Sequence, residues 1–218
     1  MVQWVFEAAL ASSVGDSVMV ATPDSEIIDA VHRFGGHAVL TSPEHPSGTD
    51  RLAEVARTVE ADIYLNVQGD EPLIDPATIE ACAGPLLSNT AVEMTSVYAT
   101  CPEAEIDNPA VVKVVTSLEG DALYFSRYAI PYARVPRPDP VKKHIGIYGF
   151  RRDVLIRYAH WQQTPLEIAE SLEQLRFLEN GVRIRMVEGQ ASVLAVDTPE
   201  QAEEVRRHLE RTAEARGI

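Results

Sequence analysis

The chain has 218 residues, is 45% hydrophobic, and carries a formal net charge of −14 with a pI near 4.8. That length suits a single domain with a sizeable core. The acidic balance argues against nucleic acid or an anionic membrane as the main partner, but it is compatible with a small, locally basic nucleotide pocket.

Residues 2–13 read as an amphipathic helix, with Val2, Val5, Phe6 and Ala9 at helical spacing. A short strand is expected at 17–21. A helix over 25–34 follows and ends at Gly35 and Gly36, and a strand occupies 37–40. The polar stretch TSPEHPSGT at 41–49 is a loop, and 50–60 is a helix. Next comes DIYLNVQGDEP at 62–72, a β-favouring run that stops at Gly69 and Pro72. Pro76 opens a helix to 87, with Asp75 as its cap. Strands are expected at 94–99, 110–116 and 122–126, the last two forming a hairpin around Glu119, Gly120 and Asp121. Residues 130–143 are proline-rich and extended. HIGIYGF at 144–150 is a strand, 152–161 and 165–180 are helices, 183–187 and 193–196 are strands, and a charged helix starts at 200. Strands alternating with helices over short connections predict an α/β fold, with a mixed sheet covered by helices.

The two cysteines, Cys82 and Cys101, lack metal-ligand spacing and read as reduced thiols of a cytoplasmic protein. No apolar run reaches spanning length, and the basic region of a signal peptide is missing from MVQWVFEAAL, so no membrane insertion is expected.

The chemistry concentrates at strand ends. Ligands of open α/β sheets bind at the carboxyl ends of strands, and Asp70 sits at such an end, where a carboxylate suits a hard cation. An ordinary turn aspartate accounts for it equally well. Asp197, in VDTPE, occupies a similar place, although a helix cap explains it too. The segment PSGTDR at 46–51 opens a helix, and its Arg51 opposes the helix dipole, a placement that suits an anionic ligand. His144 and Tyr148 share one strand face. Glu173 and Gln174 lie on a helix, where such residues ordinarily face solvent.

NVQGDEP at 66–72, PSGTDR at 46–51, ALYFSR at 122–127 with IP at 130–131, HIGIYGF at 144–150, TPLE at 164–167, LEQLR at 172–176 and VDTPE at 196–200 occur in order. Together they resemble the 3-deoxy-manno-octulosonate cytidylyltransferase family, over nearly the whole chain. The resemblance implies a Rossmann-like nucleotidyltransferase fold: one domain over 1–218, a mixed, mostly parallel sheet with helices on both faces, and a dimerisation lobe near 122–143. It implies transfer of CMP from CTP to the sugar acid Kdo, giving CMP-Kdo and pyrophosphate for lipopolysaccharide biosynthesis, by a cytoplasmic homodimer. Mg²⁺ would be held by Asp70 and Asp197. Arg51 would pair with the sugar carboxylate. Gln68, His144, Tyr148, Glu173 and Gln174 would bind the sugar hydroxyls, and Ser47 and Gly48 would lie near the cytosine.

The family pattern also includes a strand and a phosphate-binding loop that would precede Met1, so a longer natural start is expected. The competing readings are a cytidylyltransferase for another acidic sugar (8-amino-Kdo or a sialic acid) and a non-catalytic sugar-binding homologue.

Overall fold

A computed structural model describes residues 1–136, 138–190, 196, 198 and 200–207. In chain order it places α1 (Val2–Ala11), β1 (Val20–Thr22), α2 (Ser25–Arg33), β2 (Ala38–Leu40), α3 (Gly48–Thr58), β3 (Ile63–Val67), α4 (Pro76–Ser88) and β4 (Met94–Thr100). Then follow β5 (Lys113–Thr116), β6 (Ala122–Ser126), β7 (Lys142–Arg151), α5 (Arg152–Tyr158), α6 (Pro165–Glu170), α7 (Gln174–Glu179) and β8 (Ile184–Glu188). No helix among the described residues is long and apolar enough to cross a membrane.

Local chemistry explains most helix starts. Asp24, Ser47 and Asp75 each accept a backbone N–H from the first turn of α2, α3 and α4, and Pro76 occupies the first turn of α4 with its φ already helical. Two expectations change. The strand expected at 17–21 forms at Val20–Thr22, where it can pair in parallel with Ala38–Leu40. The single helix expected over 165–180 is two helices, because Ser171 takes φ 53 and turns the chain. In that bend the Leu172 N–H closes back on the Glu167 carbonyl at 3.2 Å.

The sheet is mixed. Strand β7 is antiparallel to β3, β4 and β5, while β8 is parallel to β4. Strands β3, β4, β5 and β8 therefore run one way, with β6 and β7 opposed. Strands β1 and β2 form a separate two-stranded sheet.

Alternation along the strands sends side chains to two cores. Tyr64, Met94, Tyr148 and Phe150 pack against Ala53 and Ala56 of α3, Leu155 and Tyr158 of α5, and Phe177 of α7. On the other face Val97, Ile145 and Ile147 pack against Val5 of α1 and Ile79 and Cys82 of α4. Helices thus cover both faces.

Candidate functional site

Strand β7 changes neighbour partway along. Ile147–Arg151 pairs with β3, whereas Lys142 and Lys143 pair with β5. Between them, where β3 ends at Val67, ladder pairing on this side of β7 lapses, with the His144 N–H donating to the Val112 carbonyl at 2.8 Å. This is the kind of switch point at which α/β sheets place ligands. The Gln68 side chain covers Gly146, its Nε2 lying 3.6 Å from where a Cβ would sit.

His144 and Tyr148 share a face, as the strand period requires, with ring centroids 5.4 Å apart. The Ser96 hydroxyl donates to the Ile147 carbonyl at 2.7 Å. Its 2.8 Å contact with His144 Nε2 must then have the ring as donor. That assigns the Nε2–H tautomer and leaves Nδ1 as an acceptor. Enclosure against Phe125 and Tyr148 desolvates the ring and pushes its pKa from 6.5 down to about 3. His144 is therefore a neutral hydrogen-bonding group at physiological pH.

The α6–α7 bend supplies the opposite wall. Gln174 is buried and accepts from the Tyr148 hydroxyl at 3.2 Å. After the turn at Ser171, Gln174 and Glu173 reach toward the sheet and the head of α3 rather than to solvent, where such helix residues ordinarily point. Thr49, wholly buried at the head of α3, donates to Glu173 Oε1 at 2.8 Å. Burial raises the Glu173 pKa, against the hydrogen bonding from Thr49 that lowers it. Burial, with the Glu173 carboxylate nearby, holds the Tyr148 phenol far above its ordinary value.

Ser47 caps α3, donating to Asp50 Oδ2 at 2.6 Å and accepting from the Asp50 N–H at 3.1 Å. Its hydroxyl proton is engaged internally. Next to it Gly48 is exposed, and a Cβ there would sit 3.4 Å from Asn66 Nδ2. Arg51 belongs to a different cluster. It donates to Thr41 Oγ1 at 2.6 Å and to the Ser42 carbonyl at 3.1 Å, pinning the loop that leads to Ser47. Glu54, one turn on, holds the same loop through the Ser42 N–H at 2.9 Å and the His45 ring.

Asp70 follows Gln68 and Gly69 in the turn after β3, and its carbonyl accepts the Val196 N–H at 2.8 Å. Asp197 and most of the strand expected at 193–196 lie outside the described residues. Among the described residues no group of three or more His, Cys, Asp or Glu could hold a metal ion. Mg²⁺ characteristically uses one or two carboxylates and completes its shell with water and phosphate.

The residues brought together are Gln68, His144, Tyr148, Glu173 and Gln174, with Ser47 and Gly48 at the rim. Sequence reasoning passed over Ser96, Thr49 and Asn66. Asn66 was within reach of the alternation rule, which puts it on the face of Gln68.

A mixed sheet sandwiched by helices, with a polar pocket at the strand switch and a capped glycine turn beside it, is the architecture of a nucleotidyltransferase. The cytidylyltransferase family model matches residues 1–184. The enzyme named 3-deoxy-manno-octulosonate cytidylyltransferase from Geobacter metallireducens is 45% identical, covering 97% of this chain and 88% of its own. Its namesake from Solibacter usitatus is 47% identical, covering 95% and 83%. A solved structure of CMP:2-keto-3-deoxy-manno-octonic acid synthetase complexed with CTP superposes with a TM-score of 0.93 at 44% identity, covering 97% of this chain and 88% of that one. At 11% identity, 4-diphosphocytidyl-2C-methyl-D-erythritol synthase from Anaerococcus prevotii still gives 0.61 over 96% and 86%, a likeness of fold alone. This chain belongs to the 3-deoxy-manno-octulosonate cytidylyltransferase family.

Proposed function

We propose that this chain transfers CMP from CTP to 3-deoxy-D-manno-octulosonate, releasing pyrophosphate. The anomeric hydroxyl of the sugar acid would displace pyrophosphate from the α-phosphorus of CTP. Such transfers rest mainly on positioning and charge neutralisation. The observation that carries the reading is the cluster of polar side chains at the β3–β7 switch. Neutral His144, Gln68, Tyr148, Glu173 and Gln174 converge there, a donor and acceptor set suited to sugar hydroxyls rather than to a phosphate. The identity and coverage of the relatives support the same choice.

The Ser47–Gly48 turn borders the nucleotide side. Asp70 and Asp197 would hold Mg²⁺, which when bound supplies positive charge next to the phosphates. Arg51 would pair with the sugar carboxylate through its other guanidinium donors, while its Nη1 fixes the loop before Ser47 through Thr41 and Ser42. Exposed Leu123, Tyr128, Tyr132 and Val135 give the lobe at 122–143 an apolar surface suited to a second copy of the chain. Because both cores share one sheet, the chain reads as one domain. A cytoplasmic enzyme of lipopolysaccharide biosynthesis is the setting that follows from the product.

The test is pyrophosphate release with CTP, Mg²⁺ and a panel of sugar acids. Turnover of 3-deoxy-D-manno-octulosonate in preference to its 8-amino analogue and sialic acid supports the reading. Turnover of an analogue without it rejects the sugar assignment.

A further inference from the structure

Asn66 in β3 stands directly across from Tyr148 in β7, so the two side chains share the face on which the pocket opens. Its Nδ2 is buried and has no hydrogen-bond partner among the described residues. The same holds for Glu173 Oε2, while Glu173 Oε1 is engaged by Thr49. Both groups border the head of α3: the amide lies beneath Gly48, and the carboxylate reaches the next residue, Thr49. A Cβ at Gly48 would sit in van der Waals contact with the amide nitrogen, at 3.4 Å, so the amide lies directly under this turn.

Buried polar groups in native proteins are almost always satisfied, so two orphans at one pocket mark the place of an external group. Their chemistry restricts that group. A phosphate or carboxylate oxygen would accept from the amide but would be repelled by Glu173. An ammonium would suit Glu173 but offers the amide no acceptor. A hydroxyl does both, accepting from one side and donating to the other. We propose that Asn66 is a further substrate-binding residue, its side-chain amide donating to a sugar hydroxyl that in turn donates to Glu173. This rests on the sugar-acid reading above and extends it by one residue.

The experiment titrates 3-deoxy-D-manno-octulosonate, and separately CTP, into the wild-type chain and into Asn66→Asp and Asn66→Leu by calorimetry, with melting curves alongside. Asp keeps the shape but removes the donor, and Leu removes the polar group altogether. Both variants are expected to bind the sugar about tenfold more weakly or worse, the loss of one hydrogen bond together with its stranded partner. CTP affinity stays within about twofold, because the lost contact is not to the nucleotide. Asn66→Leu is expected to melt no lower than wild type, since replacing an unsatisfied buried amide relieves strain that ligand otherwise relieves. Unchanged sugar affinity, or an Asn66→Leu chain that melts lower and loses both ligands alike, overturns the proposal. Failure of the wild-type chain to bind the sugar rejects the activity reading itself and this assignment with it.

Discussion

Arg176 donates from Nε to Glu167 Oε2 at 2.7 Å and from Nη2 to Glu167 Oε1, and the two residues are only 3% and 4% exposed. The guanidinium lies 4.4 Å over the Tyr158 ring, and its Nη1 is 3.5 Å from Asp50 Oδ1. Asp50 in turn receives the Ser47 hydroxyl. One ion pair therefore ties the α6–α7 bend to the turn bearing Ser47 and Gly48. Removing one partner strands a buried charge, whereas removing both does not. Glu167→Leu and Arg176→Met should each lower unfolding free energy in urea by about 3–5 kcal/mol. The double variant should lose clearly less than the sum of the two; simple additivity would show that the pair is not coupled.

His144 gives a pH dependence with a definite sign. The unfolded ring takes up its proton near pH 6.5, and the folded ring only near pH 3. Below pH 6.5 the unfolded state holds the extra proton, so stability is fully present above 6.5 and falls as pH drops toward 3. The slope attributable to this group is at most about 1.4 kcal/mol per pH unit. His144→Gln should flatten the acid limb of a urea stability profile between pH 6 and pH 4. In NMR titrations the wild-type ring should stay neutral at pH 5. A ring titrating near 6.5 in the folded protein would contradict the enclosure described above.

The glycines of HIGIYGF differ sharply. A Cβ on Gly149 would run into Thr95 Oγ1 and lie 2.6 Å from Leu86 Cδ1 and 3.1 Å from Leu65 Cδ2. At Gly146 the nearest group is the end of the Gln68 side chain, at 3.6 Å, which is ordinary contact. Gly149→Ala should therefore destabilise by about 1–3 kcal/mol through overpacking. Gly146→Ala should leave stability within about 0.5 kcal/mol. Thermal melts of the two variants compare them directly, and an equal loss in both would refute the packing argument.

What could be read in the sequence was what is local. Asp75 and Pro76 announce the start of α4 because cap chemistry involves only neighbouring residues. The alternation that puts His144 and Tyr148 on one face is equally local. The break at Ser171 was not legible, since neither glycine nor proline marks it. Tertiary contacts hold the chain on either side: Glu170 grips Ser126 and the Arg127 N–H, while Glu167 grips Arg176. The burial of Gln174 follows from that bend, so helical periodicity could not reveal it. The place of Arg51 on the helix dipole is local and legible, whereas the hold of its Nη1 on the loop after β2 is not, because that contact depends on where the loop returns.

Lys113 is wholly buried, its ammonium held by the backbone carbonyls of Asn108 at 3.0 Å, Val111 at 2.7 Å and Arg127. From the other side Glu170 accepts the Ser126 hydroxyl at 2.6 Å and the Arg127 N–H at 2.9 Å. The two side chains fix the backbone where β6 passes into the proline-rich excursion. Desolvation lowers the Lys113 pKa, against the nearby carboxylates of Asp107 and Glu170, which favour the ammonium. Lys113→Met would keep the aliphatic stem and leave those carbonyls without their donor, at a cost of about 2–4 kcal/mol. Urea unfolding measures that loss. Hydrogen exchange should show faster exchange of the Arg127 and Tyr128 amides in the variant, while the amides of β3 and β4 stay protected. Uniformly faster exchange across the sheet would mean that Lys113 supports the whole fold rather than this junction.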